Sequence, residues 1–263
     1  MNPALIVSLR EGTLDSLLTG TPGFELGSDR RRAFLERLAD LPVPERTLLD
    51  SFRVERGPRD VGPFSWSAEK AARRLSTDVL RRETRVRHLG AAFDEVVHSL
   101  TRLAGDPRTT RDLGSWLASL TPGALAMVRS RALHRAQLTL GVVARFSHPV
   151  TMTPADSYLS VTRSRWLLRG QRDAVIGDTD HRILLRVRPG SPSRSAVRGL
   201  RVDALIDTLV NPSGQAPARM VGVWPESGLV IGVEPALDDL RVAARDLLRA
   251  ARLVSDSAHQ NAA

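Results

Sequence analysis

The spacing of apolar residues changes near residue 150 of this 263-residue chain. Before that point apolar residues recur every three or four positions, most clearly over residues 89–103, which is typical of amphipathic helices. After it, short apolar or alternating runs follow one another. Two of them, 165–176 and 181–187, flank the sequence Gly-Asp-Thr-Asp at 177–180, which predicts a β-hairpin with a tight turn. A helical half that leads into a sheet favours an α/β fold.

The order of the elements divides the chain into four segments. Residues 1–65 contain short helical pieces separated by Pro/Gly clusters. Residues 66–263 are expected to form one domain, with a helical part at 66–147, a sheet-containing part at 148–254 and a small polar tail at 255–263. We expect a mixed sheet of four or five strands flanked by helices. Besides the hairpin, the elements expected in the third segment are strands at 156–161, 218–223 and 228–233 and helices at 193–210 and 235–253.

Composition excludes several classes of protein. The chain has no cysteine, which removes disulfide scaffolds, cysteine-based zinc sites and thiol nucleophiles. Its 42% of apolar residues are enough for a sizeable core. No run of about 18 uncharged apolar residues occurs, and the first residues lack the pattern of a signal peptide. We therefore expect a cytoplasmic protein with no membrane partner.

The positive charge is concentrated in one part of the chain. The net charge is +9, and between residues 161 and 201 ten arginines stand against three aspartates. Motifs for phosphate loops, dinucleotide binding, serine nucleophiles and zinc proteases are absent from the sequence. His88 and His98 are ten positions apart on a predicted helix, so they are poor joint metal ligands. The arginine-rich hairpin region is the strongest functional candidate.

The hairpin resembles a known family. Its first part is Leu-Arg-Gly-Gln-Arg-Asp at 168–173, and its second part is Ile-Leu-Leu-Arg-Val-Arg-Pro-Gly at 183–190. This is similar to the hairpin of RecB-like exonucleases of the PD-(D/E)XK superfamily: Leu-x-Gly-x-x-Asp, a turn, apolar residues, Asp-x-Lys and Thr/Ser-Gly. The order of elements is similar over roughly residues 85–253. The resemblance implies a PD-(D/E)XK-like mixed sheet flanked by helices.

The resemblance also implies a degenerate catalytic site. In the family, two carboxylates hold Mg²⁺ while a lysine positions water. Asp173 matches the first carboxylate, whereas Arg186 stands at the second and Arg188 at the lysine. Because side chains alternate along a strand, both arginines should face the same site as Asp173, which we expect to be their counter-ion. The implied protein is a catalytically inactive nuclease without a metal cofactor, which binds DNA or serves as a non-catalytic subunit of a DNA-processing, repair or defence complex.

Two alternatives remain open. The chain could be a divergent Mg²⁺-dependent DNA exonuclease that combines Asp173 with Asp94, Glu95 or Glu226. It could instead be a protein-interaction scaffold whose basic face contacts solvent and binds no nucleic acid. If DNA is the partner, the surplus arginines would contact its phosphates. The arginines expected there are Arg163, Arg165, Arg169, Arg172, Arg194 and Arg198.

Overall fold

A computed structural model shows a mixed α/β protein with two sheets flanked by helices. It describes residues 4–8, 14–17, 23–56, 65–83, 88–102, 112–146, 152–153, 157–177, 181–188 and 190–260. The chain forms two compact units: Met1–Arg59 together with Arg145–Ala263, and Asp60–Ala144. This division differs from the linear one expected from the sequence, since the N-terminal segment belongs with the sheets. Within the described ranges, no helix has the length and apolar character needed to cross a membrane.

The second unit is helical, as the sequence predicts. Ser67 accepts a hydrogen bond from the backbone N–H of Lys70 (3.3 Å) and so caps the first helix. Asp112 caps the short third helix through two backbone N–H groups, and Thr121 caps the fourth. The helices are α3 (Ala68–Glu83), α4 (Leu89–Arg102), α5 (Leu113–Ala118) and α6 (Pro122–Val143).

The first unit holds a six-stranded sheet in the order β1-β9-β8-β7-β6-β3. Strands β7 and β8 are parallel and are connected through helix α7 (Ala196–Val210), while the other neighbours are antiparallel. The last helix is α8 (Leu237–Gln260). The strands are β1 (Leu5–Ser8), β3 (Met152–Thr153), β6 (Ala174–Ile176), β7 (Ile183–Val187), β8 (Arg219–Trp224) and β9 (Leu229–Val233).

A smaller sheet in the same unit has the order β2-β5-β4. Its strands are β2 (Thr47–Asp50), β5 (Trp166–Gly170) and β4 (Ser157–Ser160), with β2 parallel to β5 and β4 antiparallel to it. Helix α1 (Ser28–Ala39) precedes β2, and α2 (Ser51–Arg56) follows it directly.

The structure corrects three expectations. The run 165–176 is not one strand of the hairpin: β5 lies in the small sheet, and only β6 pairs with β7, with Ala174 opposite Leu185. The segment 1–65 is not only helical, because β1 and β2 pair with strands far along the chain. The expected tail begins too early, since α8 continues to Gln260. Residues 178–180 of the predicted turn lie outside the described part of the chain.

Candidate functional site

Asp173 lies at the start of the β6–β7 pair and is buried. Its carboxylate accepts a hydrogen bond from the backbone N–H of Val187 (2.7 Å), and its own N–H donates to the carbonyl of Leu185 (2.7 Å). The expectation that Asp173 is the counter-ion of Arg186 or Arg188 is wrong, because both arginines pair with carboxylates from other elements. Asp173 holds the register of the hairpin.

Arg186 is the buried centre of a polar network. Its guanidinium pairs with Asp203 of α7 and donates to the hydroxyl of Ser51 (2.8 Å) and the side-chain carbonyl of Gln171 (2.8 Å). The carboxylate of Glu55 lies 3.8 Å away. Only 3% of the Arg186 side chain is exposed, so a charge that would be costly to bury alone is compensated from several directions.

Arg188 links the network to helix α2 and to Trp224 of β8. Its guanidinium forms two hydrogen bonds of 2.8 Å with the two carboxylate oxygens of Glu55. It also lies over the ring of Trp224, 5.8 Å from the centroid. This combination of a bidentate pair and a cation–π contact suits the planar head of arginine and would not suit lysine.

Asp50 closes the network on the other side. Its carboxylate accepts hydrogen bonds from Arg169 (2.5 Å) and from the amide of Gln171 (2.8 Å), whose carbonyl binds Arg186. Three carboxylates are therefore matched with three guanidiniums. We call this group the central ion-pair network; its members are Asp50, Ser51, Glu55, Arg169, Gln171, Arg186, Arg188 and Asp203.

Two aspartates of the network have opposite pKa shifts. Burial raises the pKa of Asp203 from 3.8 to about 6, against the opposing effects of Arg186 and of hydrogen bonds from Gln171 and Ser51. Burial also acts to raise the pKa of Asp50, but the charge and hydrogen bond of Arg169, together with hydrogen bonds from Arg53 and Gln171, outweigh it and lower this pKa below 3.8. The pKa of Asp203 is thus closer to neutral pH than the pKa of Asp50.

The network does not fit a magnesium ion. Mg²⁺ needs free carboxylate oxygens in octahedral geometry, whereas the carboxylates here are bound to guanidinium groups. Within the described ranges, no group of three or more His, Asp or Glu side chains is arranged to hold a metal. The positive head of Arg186 lies among the carboxylates. The arrangement provides neither metal ligands nor an accessible general base.

The arginines expected to contact nucleic acid fall into two groups. Arg169 pairs with Asp50, and Arg172 pairs with Asp207, which leaves 25% and 15% of their side chains exposed. Both are held inside the fold by buried carboxylates, which argues against a role in phosphate contact. The other four are exposed: Arg198 pairs with Asp246 (2.5 Å), while no partner is seen within the described ranges for Arg163, Arg165 or Arg194.

The carboxylates considered for a divergent nuclease are divided between the two units: Asp94 and Glu95 belong to the helical unit, and Glu226 belongs to the unit with the sheets. Asp94 and Glu95 are exposed on α4 of the helical unit, where they pair with Arg129 (3.1 Å) and Arg82 (3.2 Å). His98 on the same helix is exposed. Glu226 is exposed in the β8–β9 turn and accepts a hydrogen bond from the backbone N–H of Gly190 (2.7 Å).

Sequence reasoning missed the residues that neutralise the arginines. Asp203 and Asp207 lie on the predicted helix 193–210, and both fall among its apolar positions, on the face that packs against the sheets. A carboxylate on the buried face of a helix needs a buried cation, and the hairpin arginines were the available ones. The presence of two aspartates among the apolar positions of this helix was the signal in the sequence. Asp50 and Glu55 gave no comparable signal.

Comparisons with known proteins give no family for this chain. No family model matches it, and no curated protein matches it either.

Proposed function

We propose that this chain is a catalytically inactive, RecB-like nuclease-fold protein that binds DNA without cleaving it, alone or as a non-catalytic subunit of a DNA-processing, repair or defence complex. The observation that supports the proposal is the position of Arg186. It occupies the hairpin position of a family carboxylate, and its guanidinium is buried among Asp203, Gln171 and Ser51.

A fixed cation at this position opposes metal-dependent chemistry. A divalent ion about 4 Å from a guanidinium would be repelled by several kcal/mol even at an effective dielectric of about 20. Arginine, unlike lysine, is a permanent cation in proteins, so its replacement of a carboxylate removes a ligand and adds a positive charge. On this argument the network of buried charges stabilises the hairpin and the helices around it, and no cofactor is required.

Nucleic acid is the partner that the exposed charge favours. Arg163, Arg165 and Arg194 keep their guanidiniums in solvent, and the whole chain carries a net charge of +9. Backbone phosphates are the partners for which arginine is best suited, because its planar head binds two oxygens at once. Contacts of this type give affinity with little dependence on base sequence.

The test is a salt titration of DNA binding. We expect a fluorescently labelled 20-nucleotide strand to bind the purified chain at low salt, with log affinity falling linearly as log salt concentration rises. The variant Arg163→Gln/Arg165→Gln/Arg194→Gln should bind more weakly and show a flatter slope. A variant with the same charge change at Arg30, Arg32 and Arg37 of α1 controls for net charge alone. Absence of binding at low salt would leave the scaffold interpretation in its place.

A further inference from the structure

The small sheet has one side in the hydrophobic core and one side that is only partly exposed to solvent. Leu49, Trp166 and Leu168 alternate with the outer residues and belong to the hydrophobic core, where β4 and β5 contact α7 and β2 contacts α8. The strand registers place the remaining side chains on the opposite side, which we call the outer face. Its exposed or half-buried residues are Arg46, Leu48, Tyr158, Ser160, Arg165 and Leu167. At one end the same side carries Arg169 and the buried Asp50, which belong to the central ion-pair network.

Two arginines stand side by side at one end of the outer face. Arg46 and Arg165 directly precede the paired residues Thr47 and Trp166, and the N–H of Thr47 donates to the carbonyl of Arg165 (2.9 Å). Arg46 reaches across to the hydroxyl of Ser160 on β4 (3.3 Å). Like charges on neighbouring strands repel each other, and a bound anion would reduce that repulsion.

A third arginine extends this end of the face. Arg163 lies in the turn between β4 and β5 with a φ of 61°, in the left-handed region. It is exposed, as is Arg165. This conformation is unfavourable for side chains other than glycine and asparagine. Glu45 is the acidic neighbour, and its side chain is exposed without a salt bridge to Arg46, Arg163 or Arg165 in the described part of the chain.

An aromatic side chain lies on the same face. Tyr158 of β4 is opposite Arg169 in the register and is 46% exposed, although aromatic side chains are usually much more buried. Arg169 beside it is tied to Asp50, so the two charges at that end cancel. The outer face thus combines a basic end, a half-buried apolar middle formed by Leu48 and Leu167, and an exposed aromatic ring.

We propose that the outer face binds single-stranded nucleic acid, with the Tyr158 ring stacking on a base and Arg46, Arg163 and Arg165 contacting the phosphates. The inference rests on the proposed function and adds where the strand binds and in which form. An aromatic ring and a basic end on the same sheet surface form an arrangement suited to single strands, because every unpaired base offers a ring face. In a duplex the bases are stacked on each other and cannot reach a ring on a flat sheet.

Tyr158 is the only tyrosine in the chain, which gives a direct probe. In full-length protein labelled with 3-fluorotyrosine, a single ¹⁹F resonance reports on this ring. We expect it to shift and saturate as a 12-nucleotide oligo-dT is added, and to stay in place when a 12-base-pair duplex is added at equal phosphate concentration.

Affinity measurements on variants complete the test. Tyr158→Ala should weaken oligo-dT binding by roughly 5- to 150-fold, the range for loss of one stacked base, while Tyr158→Phe should retain it. Arg46→Gln/Arg165→Gln should lower the salt slope by about 1.4, from two lost phosphate contacts at about 0.7 each. The matched control is Arg131→Gln/Arg245→Gln, which removes two exposed arginines on α6 and α8.

The outcomes separate the two proposals. If oligo-dT binds but the resonance stays still and the Tyr158 and Arg46 variants bind as the wild type does, the outer face is not the site and the proposed function stands. A duplex that binds more tightly and shifts the resonance would overturn the preference for single strands. If neither probe binds the wild type, both proposals fail.

Discussion

Replacing Arg186 with methionine removes the charge at the centre of the ion-pair network and keeps a side chain of similar length. The guanidinium contributes an ion pair with Asp203 and hydrogen bonds of 2.8 Å to Ser51 and Gln171, all in a buried place. Breaking a buried pair by removing one partner usually costs about 3–5 kcal/mol, because the remaining charge is left uncompensated. We expect Arg186→Met to lower the free energy of unfolding by about that amount at pH 8.

The loss should depend on pH. Without Arg186, the carboxylate of Asp203 loses the cation that opposes the effect of burial, so its pKa must rise above the value of about 6 that it has in the wild type. Below that pKa the group takes up a proton and no longer presents a buried charge. The cost of Arg186→Met should therefore be smaller at pH 5 than at pH 8.

Urea denaturation at pH 5 and pH 8, followed by tryptophan fluorescence, measures the free energy of unfolding at each pH. Trp166 and Trp224 report on it because they are buried in the same unit as Arg186. Arg194→Met is the control: it makes the same change at an exposed arginine and should alter the free energy of unfolding by no more than about 0.5 kcal/mol. If Arg186→Met is too unstable to purify, Arg186→Lys, which keeps the charge, should show a smaller loss of the same kind. A cost below about 1 kcal/mol at both pH values would refute the account of the network.

Three further predictions concern single residues. Burial raises the pKa of Asp203 above its unfolded value, so the stabilising contribution of this group is complete below about pH 4 and is lost as the pH rises through 6. The difference in unfolding free energy between the wild type and Asp203→Asn should therefore change by up to about 3 kcal/mol over that range. Asp173→Ala should cost about 1–3 kcal/mol in urea denaturation, because the buried N–H of Val187 loses its acceptor, and a cost near zero would contradict that role. Gly222→Ala should lower the melting temperature, at a cost of about 1–3 kcal/mol, because the new Cβ would lie 2.6 Å from the ring of Trp224; an unchanged melting temperature would show that the ring can move aside.

Local patterns in the sequence predicted most of the regular elements correctly. Helices α4 and α7 and strands β4, β8 and β9 are confirmed near their expected limits, because each carries its own apolar period and ends at turn residues or caps. Helix α3 lies in the segment expected to be helical. The paired part of the hairpin, β6 with β7, is confirmed as well.

The small sheet could not be predicted in the same way. Strand β2 pairs with β5 across more than a hundred residues, and a four-residue strand has no period of its own to reveal such a pairing. For this reason the sequence predicts β5 as part of the hairpin and Arg169 as a contact to DNA phosphates. In the structure Arg169 pairs with Asp50. The partners of Arg186 and Arg188 were missed for the same cause, since Asp203 and Glu55 come from helices that only the tertiary fold brings to the hairpin.

The most direct test of the proposed function is a cleavage assay on bound DNA. Purified chain and labelled single- and double-stranded DNA are mixed at low salt with millimolar Mg²⁺ or Mn²⁺, and bound and intact DNA are measured in the same samples over time. The account predicts that DNA is retained in a salt-sensitive manner and stays full length, because Arg186 and Arg188 occupy the hairpin positions where the family has its carboxylate and lysine. Metal-dependent degradation that disappears in Asp173→Ala would contradict it.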